Sequence, residues 1–267
     1  MIRRWLNILS ISLAIHGAAF AARPHHETGF LDRAVTVRGS EYRYEVYVPR
    51  DYDATRAWPI ILAMHGGGEY GSDGVRPTVG ALAKALRLHP DRFPAIVVFP
   101  QAHADGTPGW QREGGEAALV AVDQAVAEFH GDSSRIYLTG YSAGGNGAWF
   151  LAYHHPQRFA ALVVICGFVS DFTGRQSHVF YPGIAPASAP DRYAAVADEV
   201  KSLPIWVFHG DADMNVSVEE SRHMVAALRA LGAKVRYTEL AGVDHNAWDQ
   251  AYDDAEMAAW LLDQRRR

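Results

Sequence analysis

The sequence predicts a single α/β domain built on a mostly parallel sheet with helices on both faces. Three observations predict it. Short, near-continuous apolar runs rich in β-branched residues recur along the chain, and helix-like segments alternate with them. The 267 residues suffice for one large core and are too few for two comfortable ones.

The first segment stands apart. Arg3 and Arg4 precede an apolar stretch from Leu6 to Phe20, and Ala19-Phe20-Ala21 has the small-x-small form that signal peptidase reads. Residues 1–22 are expected to be a secretory signal peptide, cleaved after Ala21 or Ala22, with 23–267 as one domain. The stretch is short for a membrane span and is interrupted by His16, so no stable membrane association is expected after cleavage. Losing the two arginines takes the formal charge from −5 to −7, and with no basic run inside the body nothing points to a nucleic-acid partner.

Along the body, Glu41–Val48 alternates and ends at Pro49, as an antiparallel edge strand would. Pro59–Met64, Ala95–Phe99, Arg135–Thr139, Ala160–Ile165 and Leu203–Phe208 read as strands covered on both faces, with Val235–Leu240 a further candidate. Helix-like stretches run over Val79–Leu88, Glu116–Phe129, Asn146–His154, Val218–Leu231 and Ala255–Arg265, and Gly232 is a reasonable helix stop. Phe168–Pro190 has three prolines and no period. It opens a loop excursion, extending to about residue 200, over the C-terminal edge of the sheet: a small lid or substrate wall, or plain loop. The lone Cys166 ends an apolar run and reads as a core thiol, so no intrachain disulfide can form.

The chemistry concentrates at Gly140-Tyr141-Ser142-Ala143-Gly144, which follows one apolar run and opens a helical stretch. A G-x-S-x-G at a strand-to-helix turn exposes the serine hydroxyl above the sheet, and bulkier flanking residues would collide with neighbouring elements. A serine nucleophile needs a base, an acid that orients the base, and donors for the oxyanion. His245, in the loop after Val235–Leu240, is the candidate base. Asp213, in the loop after Leu203–Phe208, is the candidate acid, preferred to Asp211 because it lies deeper in that loop. His65-Gly66-Gly67-Gly68 follows another strand, and its glycine-rich turn suits backbone donors: Gly67, with Gly68 as the alternative, and the amide of Ala143.

His209 at a strand end is expected to be structural. His25, His26, His89, His103, His154 and His155 show no spacing that suggests zinc, and neither a metal nor a cofactor is expected. The chain carries no dinucleotide fingerprint and no Walker loop. Serine at the nucleophile position argues against dehalogenase or epoxide-hydrolase chemistry.

As an ordered set these motifs resemble a known family. Tyr44-Glu45-Val46-Tyr47-Val48-Pro49, His65-Gly66-Gly67-Gly68-Glu69, Asp132 to Gly145, His155 to Ala161, Trp206 to Asp213 and Val243 to Trp248 are similar to secreted α/β-hydrolases of the esterase and predicted-peptidase group. That group is related to polyhydroxybutyrate depolymerases and feruloyl esterases. The resemblance implies the α/β-hydrolase fold, a Ser142–Asp213–His245 triad and an oxyanion hole of Gly67 and Ala143. Two departures stand out: Ser217 replaces a frequent proline in the acid loop, and the single cysteine departs from relatives with disulfides near the site.

Trp110 and Trp248, in loops near that edge, are candidate substrate-binding residues or simple core filling. The expected function is a secreted serine carboxylic-ester hydrolase whose partner is an ester substrate, either a small molecule or a polymer-linked group. The alternatives are a serine peptidase of the same fold and a non-catalytic binding protein on the scaffold.

Overall fold

The computed structural model describes residues 27–103, 109–174 and 178–266. The expected signal peptide and the His25-His26 pair lie outside the described residues. None of the described helices is long and apolar enough to cross a membrane.

Ten strands and seven α-helices are described: β1 (Gly29–Val37), β2 (Ser40–Val48), β3 (Trp58–Met64), α1 (Ala81–Leu88), β4 (Ile96–Pro100), α2 (Glu113–Glu128), β5 (Gly131–Tyr141), α3 (Ala143–His154), β6 (Ala161–Ile165), β7 (Phe172–Thr173), β8 (Phe180–Tyr181), α4 (Arg192–Val200), β9 (Ile205–Gly210), α5 (Glu219–Ala230), β10 (Val235–Leu240), α6 (Trp248–Asp253) and α7 (Ala255–Asp263). Eight strands form one sheet in the order β1-β2-β4-β3-β5-β6-β9-β10. The β1–β2 and β2–β4 pairs are antiparallel and the remaining pairs are parallel. This is the α/β-hydrolase fold.

The apolar runs are continuous because both faces of the sheet are covered. In β3, Ile60, Leu62 and Met64 enter one core while Ile61 and Ala63 enter the other, and β6 alternates likewise, with Leu162 and Val164 opposed to Val163 and Ile165. Helices α2 to α5 close the first face through Ala121, Ala148, Val196 and Met224. Helices α1, α6 and α7 close the second through Leu86, Tyr252 and Met257. Each of the larger buried side chains, such as Leu86, Leu162 and Met257, removes enough apolar surface to contribute roughly 1.5–3 kcal/mol.

Several expectations are corrected. The strand at residues 40–48 is antiparallel, but it is not the edge: β1 pairs along its whole length, from Gly29 against Val48 to Val37 against Ser40. Residues 29–37 mix charged and apolar positions because that strand is only part-buried or exposed at most positions, so no clear apolar run marks it. The first helix starts at Ala81, not Val79, behind a 3-10 turn at Arg76–Thr78 that Pro77 initiates. The third starts at Ala143, not Asn146, directly from the serine. The excursion after residue 168 is not plain loop. It holds the two-residue strands β7 and β8, and then α4, which Asp191 caps by accepting the N–H groups of Tyr193 and Ala194. The short helix α6 also went unmarked.

Candidate active site

Strands β3, β5, β9 and β10 all end on one side of the sheet, and the loops leaving them converge there. At the end of β5 the chain turns sharply through Ser142, with φ 53° and ψ −121°, before α3 begins. That left-handed conformation is uncommon for a residue with a side chain and places the hydroxyl clear of the sheet. Crowding explains the flanking glycines. A Cβ at position 140 would lie 2.2 Å from the Gly144 oxygen, and one at position 144 would lie 2.2 Å from the Met64 oxygen. The motif therefore lets β3, β5 and α3 meet backbone to backbone. The Ser142 N–H donates to the Ile165 oxygen at 3.0 Å, fixing the turn to β6.

The structure brings Ser142, His245 and Asp213 into one hydrogen-bonded line. The Ser142 hydroxyl donates to His245 Nε2 at 2.9 Å, and His245 Nδ1–H donates to Asp213 Oδ2 at 2.7 Å. The Asp213 side chain is fully buried. Burial alone would raise its pKa, but hydrogen bonds from His209, His245 and the Val216 N–H outweigh that and hold the carboxyl well below the usual carboxylate range. Asp211 serves elsewhere: its carboxylate accepts the Gly242 N–H at 2.6 Å and ties the β9 and β10 loops together. Ser217 accepts the Glu219 N–H at the start of α5.

Gly67, Gly68, Ser142, Ala143 and His245 border a cleft of about 370 Å³, closed by Phe168, Phe172, Tyr181 and Val216. Ala143 is the first residue of α3 and Gly67 opens the 3-10 turn Gly67–Glu69, so neither amide has a carbonyl partner inside its own helical turn. His65 is buried beneath this turn. Its Nδ1–H donates to the Gly66 oxygen at 2.7 Å, and its Nε2 accepts the Ala102 N–H at 3.0 Å. Burial lowers the pKa of this imidazole to about 4, which keeps it neutral in that arrangement. A larger depression of about 640 Å³ near α2 shares none of the lining residues of the cleft.

The two tryptophans are not brought to the cleft. Trp110 is 1% exposed and donates its indole N–H to the His65 oxygen at 3.1 Å, so it is core beneath the glycine turn. Trp248 is half-buried, and its ring meets the His245 imidazole edge-on at 5.4 Å and packs on Tyr141. It buttresses the histidine from behind. The aromatic wall is supplied instead by Phe168, Phe172 and Tyr181, whose rings contact one another at 4.3 to 6.1 Å. The available signal was their aromatic enrichment within an otherwise aperiodic segment.

Among the described residues, ligand atoms of Cys166, Asp213 and His245 lie within 4.8 Å of one another. Two of the three are already committed to each other by the 2.7 Å hydrogen bond. Burial raises the pKa of the Cys166 thiol well above its ordinary value, so it is a protonated core group.

Comparison with known proteins agrees with this architecture. A probable feruloyl esterase C from Aspergillus niger is 26% identical over 194 residues, covering 69% of this chain and 67% of that protein. An uncharacterized secreted protein from Arthroderma benhamiae is 26% identical over 216 residues, and the aligned region spans only 22% of its length. The crystal structure of a thermostable esterase superimposes with a TM-score of 0.74 at 29% identity, covering 89% of this chain and 63% of that one. Residues 106–266 match the prolyl oligopeptidase family, and that span carries Ser142, Asp213 and His245. The chain is an α/β-hydrolase of the esterase and peptidase kind, and it belongs to the prolyl oligopeptidase family.

Proposed function

We propose that this protein is a secreted serine esterase in which Ser142 is the nucleophile, His245 the general base and Asp213 the residue that orients the base. The observation that carries this reading is the unbroken Ser142–His245–Asp213 hydrogen-bonded line at the edge of an open cleft. His245 Nε2 takes the hydroxyl proton as Ser142 Oγ attacks the ester carbonyl carbon. The amides of Gly67 and Ala143 receive the oxyanion. The imidazolium then protonates the departing alcohol oxygen, leaving an acyl-enzyme that water hydrolyses by the same proton route. Each oxyanion donor lowers the barrier by about 3–4 kcal/mol.

The described residues lining the cleft carry no acidic or basic side chain apart from His245 itself, and three aromatic rings form one wall. That surface suits a neutral ester with a flat or apolar acyl group, such as a feruloyl group, better than the charged terminus of a peptide. Acetyl groups on polysaccharide and polyester chains are the other ester substrates the cleft is open enough to admit. The peptidase alternative draws its support from the family match. Export is supported by the Arg3–Ala22 leader pattern and by the secreted relative.

The test is labelling by a fluorophosphonate probe together with turnover of matched esters and amides of one acyl group. The expected result is a Ser142 adduct, ester turnover well above amide turnover, and a loss of about 10⁴ or more in Ser142→Ala. Near wild-type turnover in Ser142→Ala would sink the mechanism. Faster amide than ester cleavage would favour the peptidase.

A further inference from the structure

The Asp213 carboxylate has a second histidine that the mechanism above does not use. His209 stands at the C-terminal end of β9 and is wholly buried. Its Nε2 lies 3.2 Å from Asp213 Oδ2, the same oxygen that His245 contacts, and 3.1 Å from the Val216 carbonyl oxygen. Both neighbours are acceptors, so Nε2 must carry a proton, shared between them. On the other side of the ring, Nδ1 lies 2.7 Å from the Ser221 hydroxyl on the first turn of α5, and Ser221 is itself buried. With Nε2 donating to the carboxylate side, Nδ1 pairs with the Ser221 hydroxyl on the other side of the ring. The imidazole is therefore locked at both nitrogens.

The remaining contacts of the carboxylate show what this lock does. Asp213 Oδ1 accepts the N–H groups of Asn215 and Val216 at 2.8 and 2.9 Å. Oδ2 would otherwise be held only by His245, the ring that changes its proton count in every cycle. His209 cannot replace His245 as base, because its side chain is sealed from the cleft whereas that of His245 is 17% exposed.

We propose that His209, fixed by Ser221, is a positioning residue that holds the Asp213 carboxylate in the plane and direction His245 requires. The proposal rests on the assignment of Asp213 and His245 given above. It describes a five-group line, Ser221–His209–Asp213–His245–Ser142, of which the buried half is static and the exposed half moves protons. A constant donor on Oδ2 keeps the carboxylate from rotating toward solvent when the bond to His245 lengthens, which preserves the near-attack geometry.

The test compares His209→Met, which fills the space without a donor, with His209→Gln, whose side-chain amide can place an N–H near the position of Nε2. Both are made in the wild-type and Asp213→Asn backgrounds. For a chromogenic ester, His209→Met is expected to lower kcat by about tenfold to a hundredfold with KM within about twofold. His209→Gln should recover most of that loss. In Asp213→Asn, itself down by about 10⁴, His209→Met should add less than about twofold, because its effect runs through the carboxylate. A wild-type kcat in folded His209→Met overturns the proposal. So does equal damage from Met and Gln, or the same loss whether or not Asp213 is present. Should His209→Met fail to fold, Ser221→Ala keeps the ring but frees Nδ1. Its expected several-fold drop in kcat supports the proposal, and a wild-type value overturns it. If Asp213→Asn retains full turnover while Ser142→Ala is inactive, the assignment of the acid fails and the proposal falls with it. Loss at Asp213→Asn with none at His209→Met overturns the proposal alone.

Discussion

Lowering the pH from 7 toward 4 should destabilise this protein through His65. The ring is 2% exposed, donates from Nδ1 to the Gly66 oxygen and accepts the Ala102 N–H at Nε2. Protonation would set a second ring N–H against that amide. Burial accordingly holds the folded-state pKa at about 4, below the unfolded value near 6.5. Between those values the unfolded chain binds a proton that the folded chain does not, so stability falls as pH falls through this window, at about 1.4 kcal/mol per pH unit. The loss totals about 3 kcal/mol and is complete once the folded-state ring also protonates, below pH of about 4. The control is His65→Asn, which retains a side-chain donor but does not titrate and leaves the Ala102 N–H unmet, a cost of about 1–3 kcal/mol at pH 7. Urea unfolding followed by tryptophan fluorescence at pH 7, 6, 5 and 4 measures the difference between the two proteins. The other histidines are common to both and cancel. Wild type should lead at pH 7, and the gap should close by pH 4. A gap that stays constant across the range would refute the reasoning.

Three further outcomes are expected. Gly144→Ala places a Cβ 2.2 Å from the Met64 oxygen, and separating β3 from α3 should cost more than about 4 kcal/mol, read as loss of soluble protein or of its cooperative unfolding transition. Cys166 is buried with a raised thiol pKa, so Ellman's reagent should remain colourless on the native protein at pH 8 and report one thiol in guanidinium. Phe172→Ala, which removes a half-buried ring of the cleft wall, should raise KM for a hydroxycinnamoyl ester by about threefold to tenfold while leaving that for an acetyl ester within about twofold. Equal changes for both esters would remove the aromatic wall from the account of specificity.

How far the sequence could be read depended on whether a residue's role is local. The parallel strands were legible because burial on both faces forces a continuous apolar run, as in Ile60 to Met64. The meeting of Ser142, Asp213 and His245 could be expected because each follows a strand whose place in the chain order is constrained by the fold. Strand β1 was hidden because a part-buried antiparallel edge needs only partial alternation, and its presence moved β2 to the interior. Trp110 and Trp248 stayed open between cleft and core for a different reason. A large aromatic at the right sheet edge can face either the cleft or the backbone beneath it, and only the hydrogen bond from the Trp110 indole to the His65 oxygen and the edge-on contact of Trp248 with His245 decide the matter. The environment of His209 depends on Asp213 in the loop after β9 and on Ser221, which α5 carries back against that strand.

The first turn of α5 has a consequence of its own. Glu220 accepts hydrogen bonds from the Val169 and Ser170 N–H groups, the Ser170 hydroxyl and the Tyr193 hydroxyl, and so ties down both the segment leading from Phe168 to Phe172 and the start of α4. Its neighbour in the chain, Ser221, holds His209. Two adjacent residues thus serve as a common anchorage, one for the aromatic wall of the cleft and one for the histidine behind Asp213. Under the proposed function, a change at this point is expected to alter selectivity and turnover together. Laboratory evolution toward bulkier acyl groups that relaxes Glu220 is therefore expected to lose rate as it gains breadth, whereas changes at Tyr181 on β8, outside the segment that Glu220 holds, are expected to leave the two properties separable.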